Sequence, residues 1–336
     1  MSLRERFREG LYDSEHKPRL NFARNYFFGF DEDIDFQELE KFYLDWKNYD
    51  EYIVLQKQTD SLKVKGEVEK ETFAIKCSKR GNDVYWWRVA KRLRFLKNLQ
   101  STVLFDPHGN IKRSNVLFAT LTYDTGKCTV REACETVGVD FNNWITNLRK
   151  KYGRISYFRC YEASKKGYLH IHVLMVFRDY EFEIAFSQLK RTSFRVRHVY
   201  RIEEKEEFEK GWHSFVDVQA IRELREGIKY VTKYLTKTKY KSQIQVLTLA
   251  LCWLFRKRTF AVSGDFLEAL KAEIQSLRVG RLVQTDLQGG EISLEVEYLF
   301  IGIFSADRLG IDRNEWRKVI TDRNVLLDIL NYTKME

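Results

Sequence analysis

The chain has 336 residues, 44% of them apolar and 15% aromatic, enough to bury a core and too many for a disordered chain. With 58 Lys and Arg against 48 Asp and Glu its net charge is +10, which favours a polyanionic partner; no apolar run approaches the roughly 18 residues of a membrane span. Five cysteines without C-x-x-C spacing argue against a disulfide framework and a zinc finger, and a start charged from the third residue lacks the apolar stretch of a secretory signal, so an intracellular, cytoplasmic protein with no membrane partner is expected.

In chain order, residues 1–110 read as a mostly helical region, with charged amphipathic stretches at 36–60 and in VYWWRVAKRLRFLKNLQ. The turn DPHGN at 106–110 is the clearest local break. Beyond it the pattern changes. VLFATLTY (116–123) reads as a strand, REACETVGVDFNNWITNLRKKYG as a helix, and ISYFRCYE (155–162) and YLHIHVLMVF (168–177) as two strands joined by a short hairpin. A helix near 182–190, a strand FRVRHVYR, a short strand FVDVQ and the helix IRELREGIKYVTKYLTK (221–237) follow. Residues 246–336 hold an apolar helix LTLALCWLFRKR, a strand-like ISLEVEYLFIGIF and a last helix. Hairpins and helices without regular alternation predict an α+β fold, an antiparallel sheet with packed helices, divided at 1–110, 111–245 and 246–336.

Two places carry chemistry. His170 and His172 are two apart, so on a strand both point to one face, while Leu169, Ile171, Val173, Met175 and Phe177 form an apolar opposite face that lies on helices. The histidines are thereby expected on the open side of the sheet. An isolated H-x-H strand serves hydrogen bonding as readily as metal binding; a third ligand distinguishes the two. Glu162 ends the preceding strand, where its carboxylate reaches the same ion or remains a solvated hairpin charge. Two imidazoles and one carboxylate leave positions open and suit Mn²⁺ or Mg²⁺ with phosphate oxygens.

On the helix at 221–237, Leu224, Ile228, Val231 and Leu235 form one stripe, and Tyr230, Lys233, Tyr234 and Lys237 form another about 140° away at 100° per residue. The packing role is therefore already filled. Two phenols one turn apart beside two ammonium groups form a face that can hold a phosphodiester and stabilise a phenolate, or a solvated helix face. A free tyrosine, with a pKa of about 10, needs such help to act as a nucleophile at neutral pH.

FATLTYD (118–124), GYLHIHVLMVF and YVTKYLTK (230–237), in this order, resemble the three motifs of the HUH endonuclease superfamily. The resemblance is closest to the two-tyrosine rolling-circle replication initiators of plasmids and single-stranded DNA phages. LALCWLFRKRTFAVS (249–263) is similar to sequences in archaeal plasmid initiators. The resemblance implies a five-stranded antiparallel core of ferredoxin-like or RNA-recognition type over 111–245, and Glu162 as third metal ligand. It implies that Tyr234 attacks the scissile phosphate of single-stranded origin DNA, that Tyr230 helps in a later cleavage, and that Lys233 and Lys237 steady phosphate or phenolate. A covalent 5′-phosphotyrosine and a 3′-OH primer follow, with host polymerase and helicase as partners. Arg195, Arg197, Lys239 and Lys241 are the expected DNA-binding residues; Trp212, His213 and Asp217 read as sheet packing and surface. No G-x-x-x-x-G-K-[ST] is present to support an ATPase.

Two other readings compete. A transposase or relaxase would share the chemistry, though relaxases usually place the tyrosine ahead of the histidines. A non-catalytic RNA-recognition-like module would bind nucleic acid without His170, His172 and Tyr234 together and without a divalent ion.

Overall fold

A computed structural model describes residues 17–29, 33–59, 69–93, 102–191, 196–212, 214–222, 224, 227–229, 243–264, 266, 268, 283–285, 291–293 and 296–332. In chain order the elements are α1 (Leu20–Phe28), α2 (Phe36–Asn48), β1 (Glu51–Thr59), β2 (Glu69–Lys76), α3 (Asp83–Arg92), β3 (Val103–Phe105), β4 (Ile111–Ser114) and β5 (Val116–Leu121). Next come α4 (Val130–Tyr152), β6 (Ile155–Ala163), β7 (Leu169–Phe177), β8 (Phe182–Arg191), β9 (Val196–Ile202), α5 (Lys205–Lys210) and β10 (Val216–Ala220). The last are α6 (Gln243–Leu254), β11 (Phe260–Val262), β12 (Val283–Thr285), β13 (Glu291–Ser293), β14 (Val296–Ser305), α7 (Ala306–Leu309), β15 (Arg317–Val319) and α8 (Arg323–Tyr332). The class is α+β with antiparallel sheets, as expected. None of the described helices is long and apolar enough to cross a membrane.

Two compact units divide the chain: residues 1–44 with 90–271, and residues 45–89 with 272–336. The boundaries read from sequence at 110 and 245 differ from this division. In the second unit β1 and β2, from the expected helical region, pair antiparallel with β14 and β15 from near the other end of the chain, in the order β14-β1-β2-β15. Tyr52, Val54, Ala74, Phe304 and Ile329 form its core. The Tyr52 hydroxyl donates to the Glu315 carbonyl at 2.7 Å, so even the polar end of that ring is satisfied in the interior. Residues 36–60 are accordingly half helix and half strand.

The first unit is built on a sheet in the order β11-β6-β7-β5-β10-β9-β8-β4-β3. This nine-stranded sheet is wider than the five-stranded core the resemblance implies. The turn at 106–110 lies inside it, because the Asp106 carboxylate accepts from the backbone N–H groups of His108 and Asn110 and closes the β3–β4 hairpin. Residues 182–190, expected to be helical, are strand β8, paired with β9 from Ile184↔Ile202 to Arg191↔Val196.

The helix α4 covers the apolar face of β6 and β7. It starts on a capping box, in which the Thr129 hydroxyl accepts from the Glu132 N–H and the Glu132 carboxylate accepts from the Thr129 N–H. It ends at Gly153, whose φ of 81° is the left-handed turn that glycine adopts without strain. Between these ends Ala133, Val137, Phe141, Trp144, Leu148 and Tyr152 recur at helical spacing and are buried. Phe141 packs edge-on against Tyr157 of β6, and Tyr152 against Phe177 of β7. The odd-numbered residues of β7 are thus committed to the core, which leaves the histidines on the other face.

Candidate active site

The hairpin between β6 and β7 sets the site. Gly167 has φ 86° and a Cβ there would run into the Phe36 ring, so the tight turn from Ser164 requires glycine. Its N–H donates to the Ser164 carbonyl at 3.0 Å. The register that follows places Glu162 opposite His170 and Cys160 opposite His172. Period-two alternation then puts Glu162, Cys160, His170 and His172 on one face.

On that face β5 brings Thr120 opposite His172, and β10 brings Asp217 opposite Thr120. A polar row results. His172 Nε2 stands 3.0 Å from Glu162 Oε2, and His172 Nδ1 stands 3.2 Å from Thr120 Oγ1. Further along, the Arg201 guanidinium of β9 pairs with Asp217 and donates to the Val218 carbonyl at 2.7 Å. Sequence reasoning assigned no role to Thr120 or Asp217 and read Arg201 only as one of several alternating basic residues. Trp212 is buried, as expected, and its indole N–H donates to the Thr122 carbonyl at 2.8 Å.

The face is not the open surface that the alternation of β7 suggested. His172 is only 5% exposed, and Leu174 and Val176 beyond it are buried. The segment leading to the tyrosines covers them: the Ile221 N–H donates to the Val116 carbonyl at 3.0 Å, residues 227–229 are helical, and a Cβ on Gly227 would come within 2.6 Å of Leu174 Cδ1. Glycine at 227 therefore lets the helix backbone lie on the histidine face. Gly227→Ala is expected to push the segment off Leu174 and to cost about 1–3 kcal/mol, the usual penalty of overpacking. Thermal unfolding of the variant measures this; an unchanged or raised melting temperature would show that the close packing at 227 is unimportant.

The histidine face can be tested for an ion from its own donors. Two donors at about 2.1 Å and a right angle around an octahedral ion stand about 3.0 Å apart. The Glu162 and His172 atoms have that separation. A neutral His172 that donates from Nδ1 to Thr120 keeps its Nε2 lone pair for a metal, the usual role of a hydroxyl or carbonyl behind a ligating imidazole. His170 lies beside Glu162 in register; burial first, then the nearness of His172, holds its pKa below the ordinary histidine value, with Glu162 acting the other way. Burial pushes the Cys160 thiol far above its ordinary value, so it offers no thiolate at neutral pH. Among the described residues no three His, Cys, Asp or Glu side chains are already gathered as a closed cage. The donors thus fit a divalent cation through Glu162 and His172, with His170 as the third residue of the set.

The remaining expected site residues fall elsewhere. Tyr230, Lys233, Tyr234, Lys237, Lys239, Lys241, Arg195 and His213 lie outside the described residues, and Arg197 is placed only by its backbone, opposite Lys190.

Residues 116–239, a little over a third of the chain, match the family model described as Replication-associated protein ORF2. The match runs from β5 through the histidine strand to the tyrosine-bearing segment and supports a role in replication initiation. No curated protein and no solved structure matches the chain.

Proposed function

We propose that this chain is a rolling-circle replication initiator of the HUH type that nicks and joins single-stranded origin DNA through a tyrosine nucleophile. The observation that carries the proposal is the row Glu162–His172–Thr120, a carboxylate and an oriented imidazole on the face over which the segment leading to Tyr230 and Tyr234 begins. Glu162, His172 and His170 would hold Mn²⁺ or Mg²⁺, which when bound polarises a phosphate and neutralises its charge. Thr120 orients the His172 ring. Tyr234 supplies the oxygen that forms the new bond to phosphorus while the bond to the 3′ oxygen breaks. The phenolic proton is lost, the departing 3′ oxygen gains one, and the 5′ side stays on the tyrosine. Lys233 and Lys237 offset the charge on phosphate and phenolate. The basic balance of residues 1–44 and 90–271, 41 Lys and Arg against 29 Asp and Glu, supplies most of the DNA affinity without sequence preference.

The experiment is a Mn²⁺ titration of strand cleavage on a pool of random-sequence single-stranded oligonucleotides. Glu162→Ala removes a ligand, and Thr120→Val removes only the hydroxyl behind His172. Both are expected to raise the Mn²⁺ requirement about 10- to 100-fold, the range for losing an outer-sphere partner or more. An unchanged requirement in Glu162→Ala would reduce that residue to a hairpin charge.

A further inference from the structure

From the hairpin of β8 and β9 we infer a duplex-DNA grip that projects beside the nicking site. The sheet narrows here to two strands. β4 bonds β8 only at Phe182 and Glu183, and β10 bonds β9 only at Tyr200, so beyond the Ser187↔Tyr200 pair the described strands have no partner but each other. Every described side chain from Ala185 to Leu189 is exposed, including Phe186 at 57% and Leu189 at 54%, and so are Arg191 and His198. Five consecutive exposed positions on a strand mean that both faces of the ribbon meet solvent.

Charge selects the occupant. Residues 184–202 contain Lys190, Arg191, Arg195, Arg197 and Arg201 and no Asp or Glu. Lys190 and Arg197 are register partners, and Arg191 follows at the outer end of β8. A second copy of this chain would bring the same positive charge edge to edge, which disfavours self-pairing. A polyanion is attracted. Single-stranded DNA calls for a wide platform on which bases stack, whereas the major groove of B-DNA, about 12 Å wide and 8.5 Å deep, admits a two-stranded ribbon with both faces free. Four residue steps from Ser187 to Arg191 give a reach of about 13 Å, enough to fill that depth.

The placement fits an initiator. β9 is three strands from β7 across the sheet, about 14 Å at the ordinary strand spacing, so a ribbon holding duplex lies within one helical turn of the histidine face. The ribbon would hold the double-stranded flank of an origin while the adjoining single strand enters the site. Arg201, paired with Asp217 at the ribbon's root, anchors it to the sheet.

This inference rests on the proposed DNA-nicking function, and its test is kept separate from cleavage. The full chain, in chelator, is titrated against a fluorescent duplex of about 20 base pairs and against one of its single strands over a range of salt. Lys190→Ala, Arg191→Ala and Arg197→Ala together are expected to weaken duplex binding at least tenfold and to lower the salt slope by about 2.7, three phosphate contacts at 0.9 each. Single-strand binding is expected to fall less than threefold. A charge-retaining variant, with Lys190 kept and Arg191→Lys and Arg197→Lys, is expected to restore duplex binding, and all variants to keep the melting temperature of the parent. Equal losses on duplex and single strand would overturn the inference and place the ribbon on the single-strand path. Unchanged duplex binding, or self-association of the alanine variant, would overturn it as well. Loss of duplex preference with cleavage absent in the parent would instead retain the ribbon and remove the nicking function.

Discussion

Saturating chelation is expected to lower strand cleavage at least a thousandfold while leaving DNA affinity within about threefold. Several kcal/mol of phosphate polarisation is the usual contribution of a bound ion, and each 1.36 kcal/mol is tenfold in rate. Affinity survives because the positive charge is spread over the whole first unit and not concentrated at the histidines. His170→Ala with His172→Ala should reproduce the loss. His172 sits almost fully buried between Glu162 and Thr120, so its removal also leaves two polar partners unsatisfied, worth about 1–3 kcal/mol of stability. Comparing cleavage in chelator with cleavage by the folded double variant separates chemistry from folding. Undiminished cleavage in excess chelator would remove the metal from the mechanism.

Tyr234→Phe is expected to eliminate the first nick, whereas Tyr230→Phe still nicks but fails in the second transfer. The two phenols lie on one helical face, about 6 Å apart along the axis at 1.5 Å per residue, so they are neighbours without being equivalent. Tyr230 follows directly on the helical residues 227–229, whose start is pinned against Leu174; Tyr234 lies a turn farther on, with Lys237 beyond it. Phenylalanine keeps the ring and removes only the hydroxyl, so lost cleavage with preserved binding reports chemistry. Single-turnover cleavage and strand-transfer assays on both variants measure the division. Full nicking by Tyr234→Phe, or loss of the first nick in Tyr230→Phe, would reverse the roles.

The features legible in the sequence are those fixed by short spacing. Alternation in YLHIHVLMVF put His170 and His172 on one face, and the hairpin before it brought Glu162 alongside, within 3.0 Å of His172. Thr120 was visible in FATLTYD, but its contact with His172 depends on the register of β5 on β7, which residues 52 positions apart do not announce. The same limit hid the pairing of Arg201 with Asp217. The strand β8 was misread because Phe182, Phe186 and Leu189 recur at i, i+4 and i+7, a helical period that pairing with β9 overrides. Two of those three side chains are exposed, so the apolar stripe never served a core and the ribbon it belongs to was missed. For β1, the partner β14 begins more than two hundred residues later, and only that pairing makes a sheet of a segment that reads as amphipathic helix. The openness expected for the histidine face failed for a local reason: Gly227 has no side chain to hold the following helix away from Leu174.

Covalent joining of DNA to a tyrosine of the segment 230–237 is the step on which the proposed chemistry stands or falls. The wild-type chain is incubated with Mn²⁺ and the labelled random-sequence single strands, the adduct is trapped under denaturing conditions, and the labelled peptide is sequenced. The expected result is DNA joined through a 5′ phosphate to Tyr234, with a minor fraction on Tyr230 under conditions that permit strand transfer. DNA mainly on Tyr230 would overturn the assignment of the first nucleophile. Cleavage with no DNA on either residue would contradict the tyrosine mechanism itself.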